Sequence, residues 1–293
     1  MRFLSAGLHI ALGLSVSMQL VACSGATCPV QTFPNVDGLQ SHHTQQRAWA
    51  RNMRAEARVD RRDGDGRVRG TVLMLVERPD RVRFDAMTQF GPAAVLTSDG
   101  TSFALTDLRE NRFFAGPTCA ENIALLLGIP LEAQAIGGVL FGEAPMIEGA
   151  AVSADSPRGE APLTCESGQY VVRLRGADGS LEELRYDVLE TSAGGDVSGQ
   201  RTRLREGLLH DAAGELVWRI RWDDYAFVED PTDTQTPRRG IAMAHRIQLE
   251  LPAQHVDTLV RFERIELNAS MPADAFTQTV RPGLSVEPVE CGH

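Results

Sequence analysis

Between residues 216 and 222 the chain sets Leu216, Trp218, Ile220 and Trp222 on one parity and turns Arg219 and Arg221 the other way. Large apolar groups on one side of a period-two segment, with guanidinium groups opposite, describe a strand with one buried and one solvated face. The pattern recurs. Ile241, Met243, His245, Ile247, Leu249 and Leu251 share a parity; Val82, Phe84 and Ala86 alternate with Arg83 and Asp85. Tyr170, Val172 and Leu174, then Leu184, Tyr186 and Val188, behave likewise. Val260 and Phe262 are followed by Ile265 and Leu267, and that switch of parity predicts a bulge. Arg67–Glu77 reads as a strand behind the turn Asp63-Gly64-Asp65-Gly66, and short strands over 93–96, 101–106 and 111–115 turn at Ser98-Asp99-Gly100. So many one-sided strands commit the chain to a sheet of about eleven, whose apolar face must be covered.

Little in the sequence is available to cover it. Leu39, His42, Gln46, Trp49 and Met53 fall at helical spacing, predicting a helix from Leu39 to about Met53. Two short helices are expected in the middle: Cys119–Leu127, ending at Gly128, and Leu131–Phe141, ending at Gly142, joined through Ile129-Pro130. The expected class is therefore α+β, mainly β: a curved antiparallel sheet or half-barrel covered by short helices.

The N-terminus constrains the setting. Arg2 precedes an apolar run through Leu8, Ile10, Leu12, Leu14 and Val16, which has the charge-then-apolar layout of an export signal. It closes on Leu20-Val21-Ala22-Cys23, which resembles the bacterial lipobox; the resemblance implies cleavage after residue 22 and lipid on Cys23. Ser24 in place of an Asp is similar to an outer-membrane address. Residues 1–22 are thus expected to be a signal peptide, 23–38 a lipidated cysteine and tether, and 39–293 a single domain, facing the periplasm and monomeric. No second apolar segment is long enough to span a bilayer.

The net charge of −10 argues against nucleic acid, whose phosphates require a basic surface, and gives no help at an anionic membrane. With Cys23 assigned to lipid, Cys28, Cys119, Cys165 and Cys291 remain, enough for two disulfides in an exported chain. Of the three pairings, Cys28–Cys291 and Cys119–Cys165 are favoured. There is no CxxC pair, no nucleophile elbow, no phosphate-cradling glycine loop and no His-Glu-x-x-His. No metal, cofactor or enzymatic activity is expected. His42 and His43 are neighbours that point different ways on a helix, and His245 reads as a satisfied core histidine.

This layout resembles the fold shared by the periplasmic lipoprotein carrier LolA and its outer-membrane receptor LolB. The similarity lies in the helix around Trp49, in Arg81-Val82-Arg83-Phe84-Asp85 with Thr88-Gln89-Phe90-Gly91-Pro92, in Leu127-Gly128-Ile129-Pro130-Leu131 between two helices, and in Val217–Trp222 with Tyr225. The resemblance implies that acyl chains of lipoproteins, or other lipids, occupy the space between sheet and helices. The lining would then be Val72, Met74, Phe84, Trp218, Ile220, Met243 and Ile247, and the lid Ile123, Leu126, Leu127, Ile136 and Leu140. A LolA-like periplasmic carrier would be a partner. Phe90 matches the receptor's exposed apolar loop residue and would touch the membrane, unless it tucks under the sheet edge. The implied role is receiving lipoproteins at the outer membrane. The alternative is a non-transporting envelope lipoprotein that uses the same fold as a scaffold or partner-binding module.

Overall fold

A computed structural model describes residues 27–64, 66–145, 147, 162–190 and 196–292. The expected leader 1–22 and the candidate lipidation site Cys23 lie outside these residues. After α1 (Val36–Gln45) come β1 (Asn52–Asp63), β2 (Gly66–Glu77), β3 (Arg81–Thr88), β4 (Gly91–Ser98), β5 (Ser102–Asp107) and β6 (Arg112–Pro117). The helices α2 (Ala120–Leu127) and α3 (Ala133–Leu140) follow. The chain then returns to strands: β7 (Leu163–Glu166), β8 (Gln169–Arg175), β9 (Leu181–Glu190), β10 (Arg201–His210), β11 (Leu216–Glu229), β12 (Gly240–Leu251), β13 (Val256–Leu267) and β14 (Ser285–Pro288).

The fourteen strands of the described residues form one open sheet in the order β14-β6-β5-β4-β3-β2-β1-β13-β12-β11-β10-β9-β8-β7. Every pairing is antiparallel except β14 on β6, which is parallel. The count exceeds the expected eleven because β7 and β14 are only four residues long and β10 sets polar Thr202 on its buried parity. The switch of parity after Phe262 is a bulge, placed by the register step between Glu56↔Arg264 and Ala57↔Phe262. The first helix is shorter than its apolar spacing suggested. Residues 44–50 close turns through Arg47 N–H to Thr44 C=O and Ala50 N–H to Arg47 C=O, both 3.0 Å. Met53 then enters the core as a strand residue, alternating with Ala55 and Ala57. Residues of the expected tether are also packed, since Phe33 and Val36 are buried in the core.

The sheet is curved around α3. That helix contacts β3, and its Val139 carbonyl accepts the indole N–H of Trp222 on β11 at 2.9 Å. Five strand spacings separate β3 from β11, about 24 Å if flat. A helix about 10–12 Å across reaches both only if the sheet wraps it. The register also gathers six hairpin turns, β1–β2, β3–β4, β5–β6, β8–β9, β10–β11 and β12–β13, at one end of the sheet, here called the rim.

Two disulfides staple the edges, and their pairing corrects the favoured one: Cys28 joins Cys165, and Cys119 joins Cys291. The reason is topological. The strand β14 returns beside β6, which brings Cys291 to Cys119, the N-cap of α2 two residues past β6. Cys165 lies on β7, at the opposite edge of the sheet, where the N-terminal segment passes.

Candidate functional site

The helices leave a cavity of about 460 Å³ between α2–α3 and the apolar face of β1–β5, β12 and β13. This volume lies within the usual range for ligand pockets, roughly 300–1,000 Å³. Its walls come from parity: Val59, Val72, Met74, Phe84, Ala86, Ile247, Leu249 and Val260 project inward from their strands. Eight of the twelve lining and lid candidates, Val72, Met74, Phe84, Leu126, Leu127, Ile136, Leu140 and Ile247, border this space. The other four do not. Ile123, Ile220 and Met243 are solid core, and Trp218 borders a smaller neighbouring hollow of about 210 Å³ with Ile129, Pro130 and Leu131. Ile220 and Met243 share the apolar parity, but Ile220 lies on β11, which does not wall the gap, and Met243 lies short of Ile247 and Leu249 on β12. Parity assigns a face and cannot assign a depth.

The lid is held unevenly. At the end of α3, Trp222 binds Val139, and the Nε2–H of His43 donates to the Gly142 carbonyl at 3.0 Å. Arg78 grips Glu143 with two bonds of 3.0 and 2.9 Å and lies 4.3 Å over the Phe141 ring. His43 is completely enclosed. Burial, reinforced by the adjacent Arg47 guanidinium, pushes its pKa well below the ordinary histidine value. It is therefore neutral, and its Nδ1 accepts from Arg47 at 3.2 Å. The helix α2 is pinned at its start by the Cys119–Cys291 bond and by Asn122 donating to the Pro117 carbonyl at 2.9 Å. Its last turn, with Ile129 and Leu131 beyond it, forms one margin of the cavity. Gly128 closes α2 with φ +64, and its N–H bonds the Ala124 carbonyl at 2.7 Å. A Cβ there would stand 2.0 Å from the Arg61 guanidinium carbon.

The mouth is more polar than the interior. Arg61, Arg69, Asp107, Arg109 and Thr88 border it, and Arg61 pairs with Asp63 at 2.7 Å. The Nε of Arg61 and the Oγ1 of Thr258, facing pair partners on β1 and β13, are buried without a hydrogen-bond partner. On the rim, Phe90 is 91% exposed in the tight β3–β4 turn, where Thr88 Oγ1 accepts its N–H at 3.2 Å. Val68 and Leu125 are exposed beside the mouth. Among the described residues no group of three or more metal-ligating side chains occurs, and no helix is long and apolar enough to cross a membrane.

No family model and no curated protein matches the sequence. Solved structures do match in shape. A DUF1329 family protein from Desulfovibrio piger aligns over 86% of this chain and 98% of its own, with a TM-score of 0.51 and 9% identity. A LolA superfamily protein from Nitrosomonas europaea aligns over 83% and 97%, with a TM-score of 0.48 and 10% identity. A domain from Vibrio parahaemolyticus, named for outer membrane lipoprotein sorting, aligns more loosely over 80% and 94%, at 0.38 and 9%. At such identities the likeness concerns the fold and assigns no role to any residue. The Leu127–Leu131 break lies at the cavity margin, where it separates α2 from α3.

Sequence reading missed the polar residues on the apolar parity. His43, Arg47, Glu182 and Thr202 are all buried. The only available signal was their phase within otherwise apolar segments.

Proposed function

We propose that this chain binds the acyl chains of lipoproteins, or of similar amphiphiles, in the cavity under α2–α3 and helps localise them to the outer membrane. The observation carrying this reading is an apolar cavity of about 460 Å³ that opens beside an exposed apolar rim. An acyl chain gains about 0.8 kcal/mol per methylene on leaving water, so such a hollow has an evident occupant. The role is binding, with α3 as the fixed part of the cover and the end of α2 as the part that yields. In this reading residues 1–22 are removed, Cys23 carries the lipid anchor, and residues 39–293 act as one binding domain. The donor is a LolA-like periplasmic carrier, and Phe90 enters the lipid during release.

Every described element and both disulfides lie within residues 28–291, so a chain beginning at Ser24 keeps the fold. That chain is offered a fluorescent diacylated lipopeptide and then vesicles, with Phe90→Glu in parallel. Uptake followed by delivery, with delivery alone failing in the variant, supports the reading. Uptake without delivery removes the receptor role. Absence of uptake by folded protein sinks the cavity reading and favours a scaffold.

A further inference from the structure

The outer face of the sheet is laid out as arginine–carboxylate pairs. Arg54 meets Glu266 at 2.6 Å, Arg58 meets Glu263 at 2.7 Å, Arg203 meets Asp187 at 2.9 Å, and Arg221 meets Glu250 at 3.0 Å. With 39 acidic side chains against 29 basic ones, carboxylates are in supply for such matching. One region departs from it. Where β2, β1, β13 and β12 adjoin, Arg62, Arg67, Arg69, Arg246 and Arg261 surround a shallow depression of about 360 Å³ that contains only Asp60 and Asp257 as acids. Asp60 is already engaged: Arg67 binds both of its oxygens, and Arg69 adds a third bond at 3.0 Å. Asp257 accepts from Gln248 at 3.0 Å. Arg62, Arg246 and Arg261 have no carboxylate partner among the described residues.

The register sharpens the anomaly. Arg58 stands directly opposite Arg261, and Arg261 directly opposite Arg246, so three arginines form one row across β1, β13 and β12. Like charges facing each other across strands destabilise a sheet; Arg58 is matched by Glu263, but folding alone supplies no reason for Arg261 and Arg246. An external anion supplies one. Guanidinium forks pair bidentately with phosphate oxygens. The field also has a telling position. Arg62 and Arg67 face each other one pair from the β1–β2 turn, on the same rim that exposes Val68 and Phe90. The row at Arg58 lies four residues higher, about 13 Å along the strand.

We propose that this arginine field is a docking surface for the phosphate headgroups of an anionic phospholipid bilayer, engaged through Arg62, Arg246 and Arg261. It rests on the proposed membrane role of the rim and adds the chemistry of the lipid it meets, but it does not require an occupied cavity. The overall charge of −10 repels an anionic surface, so the local excess of arginine sets which side of the domain faces the lipid.

The test is co-sedimentation of residues 24–293 with vesicles of phosphatidylcholine alone or mixed with phosphatidylglycerol, at low and high salt. Binding is expected only to the mixed vesicles and is expected to weaken with salt. Arg246→Gln with Arg261→Gln should weaken it about twenty-five-fold, from about fivefold per arginine. Arg54→Gln, at a matched pair elsewhere on the face, should leave it unchanged. Equal binding to both vesicle types, or a double variant that binds like the parent, overturns the proposal. So does saturable, Arg246-dependent binding of inorganic phosphate with no preference between vesicles, which identifies a small-anion site. Lipopeptide uptake in solution by the same double variant should be intact. Its loss in the parent would instead count against the cavity reading.

Discussion

Glu182 offers the sharpest test of the energetics. It sits on the inner face of β9 with no charged or side-chain partner for its carboxylate, only the backbone of Ile147 acting weakly on it, and its exposure is nil. Burial pushes its pKa from 4.5 up to about 8. A carboxyl whose folded pKa is raised takes up a proton on folding. It therefore costs nothing below about pH 4.5, costs progressively more as the pH climbs from 4.5 to 8, and levels off above. At 1.36 kcal/mol per pH unit, the gap amounts to about 5 kcal/mol above pH 8 and about 3 kcal/mol at pH 7. Replacing the carboxyl with an apolar group of similar length removes this cost. Glu182→Leu is expected to be more stable than the parent by an amount that grows with pH. Urea unfolding of both proteins at pH 4.5, 7 and 9 measures the difference, and titrations common to the two cancel. A stability difference that stays flat across this range would refute the assignment of a buried carboxyl without a charged partner.

Other outcomes follow from the lid and its fastenings. His43 is neutral when folded and chargeable when unfolded, so stability should fall as the pH drops below about 6.5, and part of that slope should vanish in His43→Leu, read from melting temperature against pH. Gly128→Ala combines a left-handed backbone with a Cβ on the Arg61 guanidinium; a loss of about 1–3 kcal/mol is expected by chemical denaturation. Removing the Cys119–Cys291 bond, which spans 172 residues, with paired serines should cost about 2–5 kcal/mol and release protection from hydrogen exchange in β14.

How much of this was legible depended on whether the information was local. The phase of Leu216, Trp218, Ile220 and Trp222 appears directly as the inner face of β11, and Pro130 with Gly128 marks the break between α2 and α3 to within a residue or two. Those features need only the chain's own period. The disulfide pairing, by contrast, depends on β14 travelling back to the far edge of the sheet, and a four-residue strand ending in proline carries almost no pattern. The cavity is intermediate: strand parity gave the face of Ile220 and Ile247 alike, but only the placement of α2 separates the residue in the core from the one at the gap. Glu182 escaped notice because Leu181 beside it suggests the opposite phase.

The bond between Cys28 and Cys165 has a mechanical meaning. With lipid on Cys23 as proposed, only the five residues from 24 to 28 separate the membrane from a rigid attachment point, a reach of about 17 Å. That point lies near the β7–β8 turn, at the end of the sheet away from the rim. For the rim to reach the lipid as proposed, a body moored so briefly and from that end would have to lie along the bilayer. It would sweep a small radius, with its mouth within a thin layer above the lipid. Anything it receives must come down into that layer to be handed over. Reducing this single bond would lengthen the mooring and let the whole domain stand off.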